Sequence, residues 1–391
     1  MACGYISSNN NRLYAAQELT YGQVPPVASS NRFPTVKLTS KQTTVKTKRQ
    51  DKTGTRTYPG TSACLRKQTT FDLMTYMTVN ASQYMEPSYG PLFEAALGGA
   101  PALFVGGIAA ANTNAMLLKF AAPHGLSAGQ AVTCGGELRF ATAIVDADTV
   151  ALNAPFTAIP SAGSAIGGTA MYQPAQDLTS VSLFDFWDPA DAVQRVFCGA
   201  AVNKLQIRVN GDYHEFELSG IAQDVIDNTS FVAGQGGLSA FPAEPTVGAF
   251  DYTIIPGNLG EAWLGTTPNR FYTITSATLT LDNGIEMREN EFGTNLPLCI
   301  SAGPRTVTAD FELLEKDDAA TQLLYQAARQ RTPISIMFQL GQQAGELFGV
   351  YLKSVIPEVP DFDDSGNRLA WKFQKCQAQG TGNDEMYIAF G

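Results

Sequence analysis

The chain has 391 residues, enough for two or three domains of ordinary size, and 44 % of them are hydrophobic, enough for packed cores. Only 16 % are charged and the net charge is −10, which argues against a nucleic-acid clamp and leaves a surface covered by Thr, Ser, Asn, Gln and Gly or by other subunits. Six dispersed cysteines with no Cys-x-x-Cys pair read as reduced thiols rather than a disulfide framework. The opening MACGYISSNNNRLY has no apolar core, so no signal peptide is expected, and residues 1–30 read as an N-terminal arm.

The first patterned unit runs over 31–101. A Thr-rich alternating strand starts at Val36-Lys37-Leu38-Thr39, a polar loop follows, and a second strand ends at Phe71-Asp72-Leu73-Met74. Between Lys37 and Lys67 there are nine basic residues and one acid, Asp51. A short helix follows and stops at Gly98-Gly99. Ala95 to Leu118 is uncharged and long enough to span a bilayer, but Pro101, Asn112, Asn114, its glycines and its few large aliphatics argue against a membrane span. Residues 102–175 alternate short strand patterns with Gly-rich turns and read as an inserted small all-β domain.

The first unit resumes over 176–227. It contains Val181-Ser182-Leu183-Phe184, Val196-Phe197 and a hairpin around Asn210-Gly211, a strong two-residue turn signal. Pairing across such a turn would set Leu205 opposite Phe216 and Lys204 opposite Glu217, leaving one apolar face and one carrying Lys204, Gln206, Arg208, Glu215 and Glu217. A Gly- and Pro-rich linker covers 228–268. The second unit covers 269–379, and 380–391 reads as a C-terminal tail. Asp317 is the expected N-cap of the second unit's helix, with Leu323, Leu324, Ala327 and Ala328 at helical spacing.

The two units repeat one another. Asn31-Arg32-Phe33 recurs as Asn269-Arg270-Phe271, Gly54-Thr55 as Gly293-Thr294, Phe71 and Leu73 as Phe311 and Leu313, and Leu92-Phe93-Glu94-Ala95-Ala96 as Leu324-Tyr325-Gln326-Ala327-Ala328. Four matches in one order, with spacings between 232 and 240 residues, indicate a duplication. The expected fold is mainly β with one flanking helix per unit.

No catalytic constellation is expected, and no metal or cofactor. Only two histidines exist, His124 in a turn and His214 in the hairpin, which excludes a three-His zinc site. No Ser stands in a Gly-x-Ser-x-Gly elbow, Gly234-Gln235-Gly236-Gly237 lacks the Lys of a phosphate loop, and Asp185 and Asp188 have no evident acid–base partner. Asp361, Asp363 and Ser365-Gly366 hint at a calcium loop, but its twelfth position is Lys372 where a Glu is required.

The sharpest electrostatic feature is the basic loop, with Lys46, Lys48, Arg49, Lys52 and Arg56. The matching loop of the second unit carries Asp282, Glu286, Glu289 and Glu291 against Arg288. Loops of opposite sign suit contacts between copies of the chain and would fix the register of stacking. A solvated loop or a nucleic-acid contact are the alternatives, the latter disfavoured by the scarcity of aromatics.

The segment Ile274 to Phe373 resembles the tail tube, or major tail, proteins of long-tailed bacteriophages. The resemblance is carried by Leu279-Thr280-Leu281-Asp282-Asn283, Glu291-Phe292-Gly293-Thr294, Arg305 to Phe311, Tyr325-Gln326-Ala327-Ala328 and Val355-Ile356-Pro357-Glu358-Val359-Pro360. It implies two tandem tail-tube-like β-sandwich or barrel units and a structural, non-enzymatic virion protein, assembled in the host cytoplasm and located in the tail. Six such units form a ring, long strands join around a lumen, and rings stack into a conduit for DNA ejection. A duplicated chain then implies a homotrimer with pseudo-sixfold symmetry. Implied partners are the chain itself, tape measure, terminator and distal-tail components, and double-stranded DNA in transient passage without specific binding. A tail hub or distal-tail ring protein is the nearest rival, and an extracellular β-rich ligand-binding module is a rival of another class.

Overall fold

A computed structural model of the chain describes residues 4–45, 51–60, 65–79, 86–111, 114–287 and 291–391. The fold is mainly β, with 44 % strand against 7 % helix. The chain enters through β1 (Asn11–Gln17), forms β2 (Lys37–Thr44) and β3 (Lys67–Tyr76), and leads into α1 (Gly90–Leu97). β4 (Ala102–Phe104) precedes a small sheet of β5 (Leu117–Lys119), β6 (Ala131–Cys134), β7 (Glu137–Ile144) and β8 (Thr149–Leu152). Then come β9 (Thr169–Tyr172), β10 (Val181–Trp187), β11 (Arg195–Val209), β12 (Glu215–Ala222) and β13 (Asp224–Asp227). The second half comprises β14 (Gly260–Gly265), β15 (Ile274–Asp282), β16 (Thr306–Leu314), α2 (Ala319–Gln330), β17 (Ile334–Leu340), β18 (Phe348–Ile356), β19 (Asp361–Asp363), β20 (Ala370–Ala378) and β21 (Tyr387–Phe390).

Antiparallel pairing sets these strands in two runs of the same order. The first is β2-β3-β12-β11-β10-β1, with β13 on the remaining side of the first half of β11. The second is β15-β16-β20-β18-β17-β14, with β21 against β18. One difference is local. β11 is a single 15-residue strand, whereas its counterpart is broken into β18 and β19 by Pro357 and Pro360. Proline has no N–H to give a ladder and ends pairing there. The runs are joined inside the chain, because the second half of β11 pairs with β15, from Lys204 opposite Asp282 to Val209 opposite Ala277.

Segments expected as an arm, a linker and a tail each contribute a strand. β1 comes from residues 1–30, β14 from 228–268 and β21 from 380–391. β1 and β14 occupy equivalent places, each flanking the strand that follows its unit's helix. The ends of the expected insert also join the main sheet: β9 pairs with β4 on one side and with β21 on the other. The small sheet itself has the order β5-β8-β7-β6.

Two expectations are corrected. The hairpin register sets Leu205 opposite Leu218 and Ile207 opposite Phe216, two residues from the two-residue-turn alignment. The cause lies outside the hairpin: Tyr213 bridges to Pro256 of the linker, and the N–H of Met77, just after β3, donates to the His214 carbonyl at 3.0 Å, so residues 213–214 are drawn out of the hairpin. A shift of two preserves the faces. The N-cap of α2 is Asp318 rather than Asp317, its side chain accepting from the Thr321 N–H at 2.8 Å.

One core runs through both halves. At its centre is α1, where Leu92, Phe93, Ala95, Ala96 and Leu97 are all fully buried. The Phe93 ring lies 5.1 Å from Phe216 of the first run, and 5.9 and 5.2 Å from Phe348 and Phe390 of the second. Gly98 ends the helix at φ 87°, where a Cβ would stand 2.2 Å from the Asp177 carbonyl oxygen, so only glycine fits. α2 is amphipathic, burying Thr321, Leu324, Ala327 and Ala328 and leaving its other face in solvent.

The small sheet is clamped to the second run. Leu138 and Phe140 share a core with Trp263, Met337 and Tyr351. The fully buried Arg139 guanidinium reaches Glu261 at 3.0 Å, pairs with Glu137, and lies 5.1 Å from the Trp263 ring centroid. Among the described residues no helix is long and apolar enough to cross a membrane.

Candidate functional site

Strand alternation builds the feature with the clearest use. On the core side the strands β3, β12, β11, β15, β16 and β20 present Phe71, Leu73, Phe216, Leu218, Leu205, Ile207, Leu279, Leu281, Phe311, Leu313, Trp371 and Phe373, all buried. With a period of two, the residues between them face the other way. That face is polar apart from Met74 of β3 and spans β2 to β20: Lys37, Thr39, Lys41 and Thr43; Thr70 and Asp72; Glu217 and Ser219; Lys204, Gln206 and Arg208; Thr278, Thr280 and Asp282; Thr308, Asp310 and Glu312; Lys372 and Gln374. Signs are interspersed rather than pooled. Arg208 pairs with Glu217 at 2.8 Å, and Lys204 stands directly opposite Asp282. A shallow groove of about 400 Å³ crosses it, between Lys37, Asp72, Lys204 and Glu217. The sequence reading found half of this face, in the hairpin of the first unit. It missed that equivalent faces of both units are continuous, which depends on the β11–β15 pairing.

Two sheet edges bound the face. Among the described residues β2 pairs only with β3, and β19 only with β20. The β2 edge is basic, with Lys37 and Lys41 and no acid over Lys37–Thr44. The β19 edge is acidic, with Asp361, Asp363 and Asp364. The Lys372 ammonium pairs with Asp363 and holds its carboxyl well below the usual carboxylate range. Phe362 on this edge is 54 % exposed and meets Tyr325 and Trp371 at 5.9 and 5.5 Å between ring centroids.

The loops at the strand ends form two rims. The β2–β3 loop holds Lys52 and Arg56, both exposed, while Lys46, Lys48 and Arg49 lie outside the described residues. The β15–β16 loop begins at Asp282 and holds exposed Glu286 and half-buried Glu291, and Glu289 lies outside the described residues. The bases of the two loops touch: the Lys67 N–H donates to the Asn295 carbonyl at 3.1 Å, and Arg66 Nη2 to the Glu291 carbonyl at 3.5 Å. The oppositely charged loops therefore share one rim. Antiparallel pairing sends the β11–β12, β16–α2 and β19–β20 turns to the opposite rim, which carries Asp212, Glu315, Asp317, Asp318 and Asp364 against Lys316 and Arg368.

Asp185 and both histidines, weighed for chemistry, have structural partners. Asp185 is buried and pairs with the Arg195 guanidinium. His214 Nε2 donates to the Leu259 carbonyl at 2.9 Å, and burial lowers its pKa, which favours the neutral ring. His124 Nδ1 accepts from the Leu126 N–H at 2.9 Å. Among the described residues no group of three His, Cys, Asp or Glu side chains could hold a metal ion.

Comparison with known proteins agrees with a structural use of this surface. No curated protein matches the chain significantly. A family model described as phage tail tube protein matches residues 8–386, a span that takes in both strand runs, the small sheet and the segments between them. The chain belongs to the phage tail tube protein family and is a structural component of the virion tail.

Proposed function

We propose that three copies of this chain form a ring with pseudo-sixfold symmetry, that the rings stack into the tail tube, and that DNA is ejected through the lumen. The observation that carries this reading is the strand order. Two runs with the same order, joined edge to edge by β11 and β15, are what a duplicated subunit retains when two neighbours of a six-unit ring are fused. The remaining free edges, on β2 and β19, are then closed by the next copies, which removes exposed edges from the assembled ring.

The polar face is the lumen lining in this reading. It holds Lys37, Lys41, Lys204, Arg208 and Lys372 among Asp72, Glu217, Asp282, Asp310 and Glu312, with Thr between them. Such interspersion leaves little net field to hold phosphate, so double-stranded DNA passes without specific binding. Tape measure, terminator and distal-tail components are the further partners.

Lys46, Lys48, Arg49, Lys52 and Arg56, with Asp282, Glu286, Glu289 and Glu291, are proposed as inter-ring contacts. Because both loops share a rim, a head-to-tail stack turns the basic loop toward the acidic rim of the next ring. Electron microscopy of the purified protein tests the whole: long tubes are expected, and isolated rings that never stack would favour a hub or distal-tail role. Reversing charge at Lys48, Arg49 and Lys52 is expected to stop growth at single rings, with recovery on added reversal at Asp317 and Asp364. Recovery instead from reversal at Glu286, Glu289 and Glu291 would mean that the two loops meet each other.

A further inference from the structure

The internal joint predicts the seam between copies, an inference that rests on the ring reading above. Leu205 of β11 stands opposite Leu218, which stands opposite Leu73. Phe362 of β19 stands opposite Trp371, which stands opposite Leu313. Leu73 and Leu313 hold the same place in the two units, so Phe362 holds the place of Leu205. On the other side of the joint, Leu281 stands opposite Val307, and Thr44 opposite Lys67. Val307 precedes Leu313 by as many residues as Lys67 precedes Leu73, so Thr44 holds the place of Leu281. Within the chain, Leu205 faces Leu281.

We propose that β2 of one copy pairs antiparallel with the β19 edge of the next in that same register, with Phe362 opposite Thr44, Asp363 opposite Thr43 and Asp361 opposite Val45, and that edge charge restricts the contact to this head-to-tail pairing. The faces agree across the seam. Thr43 and Val45 continue the polar side with Asp363 and Asp361. Thr44 continues the core side with Phe362, whose exposed ring is covered together with Tyr325 and Trp371.

Charge supplies the direction. Lys41 lies one diagonal step from Asp363 in this register, within reach of a long side chain. Two β2 edges brought together would oppose Lys37 and Lys41 to their own copies, and two β19 edges would oppose Asp361, Asp363 and Asp364 to theirs. Both symmetric dimers are therefore disfavoured, and the heterologous contact that closes a ring is left. Lys37 and Lys41 form no ion pair within the chain among the described residues, so they are available for it. Asp363 already pairs with Lys372, which leaves Asp361 and Asp364 as the uncommitted acids of the edge.

The test is a cysteine pair, Thr43→Cys with Asp363→Cys, in the full chain. Residues directly opposite on paired strands bring their Cβ atoms within disulfide range. Mild oxidation of assembled protein is expected to give covalent dimers and a closed trimer on a denaturing gel, absent from the parent chain and from Thr39→Cys with Asp363→Cys. Charge reversal is the second arm. Lys37→Glu with Lys41→Glu, or Asp361→Lys with Asp364→Lys, is expected to lower the assembled fraction about tenfold or more, and the four changes together to restore it. Rings from the parent chain without the Thr43–Asp363 cross-link, or with stronger cross-linking through Thr39, would overturn the register while leaving the ring reading intact. A parent chain that forms no rings would remove both.

Discussion

The two helices hold equivalent places in the two strand runs and end in opposite surroundings. α1 is eight residues long, has no side-chain N-cap bond, and buries all of its residues but Pro91 and Glu94, which are partly exposed. α2 has twelve residues, an Asp318 cap and a solvated face with Gln322, Gln326, Arg329 and Gln330. The difference is the cover. Phe348 and Phe390 of the second run pack onto α1, whereas among the described residues no such layer covers the outer face of α2. A helix that tertiary packing secures over most of its surface needs neither a cap nor length, whereas one with a wet face relies on both. In the proposed ring, a neighbouring copy would supply the cover that α2 lacks among the described residues.

Paired substitutions can break or sharpen this contrast. The largest effect is expected for Phe93→Ala, which empties the centre of the shared core and is expected to cost about 3–5 kcal/mol in urea unfolding. Tyr325→Ala at the equivalent place is expected to cost clearly less, since that ring is only partly buried; equal losses would refute the contrast. Next is Arg139→Ala, expected to cost about 3–5 kcal/mol because it leaves Glu137 and the buried Glu261 without this partner. The exposed pair makes the control, with Arg208→Ala expected to cost about 0–1 kcal/mol.

Third, Asp318→Ala is expected to cost about 1 kcal/mol through loss of the bond to Thr321, while Asp317→Ala stays near zero. The smallest effect is expected for Leu323→Glu. Its side chain is 52 % exposed, so the stability of the single chain is expected to move by about 0.5 kcal/mol or less. A large loss there would show that α2 is covered within one copy after all.

Much of this is legible in the sequence. Alternating Thr and apolar residues marked β15 and β16, and the 3.6-residue period of Leu324, Ala327 and Ala328 marked α2. The matches Phe71 with Phe311 and Leu73 with Leu313 fall on β3 and β16, which stand at corresponding positions of the two runs. The flanking strands were hidden for a physical reason. Asn11–Gln17 and Gly260–Gly265 are short, share no residue pattern, and owe their conformation to β10 and β17. The hairpin register departs from the local expectation because the strong signal of Asn210-Gly211 is overridden by Pro256 and Met77, which draw residues 213–214 away. The polar face was half legible, since alternation within each strand is local while continuity across β11 and β15 is not. The edge charges were in plain view, yet only the pairing shows which strands lack a neighbour.

The proposed fusion of two units in one chain has its most direct consequence in the stoichiometry of the proposed ring. Native mass measurement of a single ring, or its rotational symmetry in averaged electron micrographs, tests this without reference to any residue. Three chains, with threefold symmetry and six similar lobes, are the expected result; a ring of six chains would contradict the account.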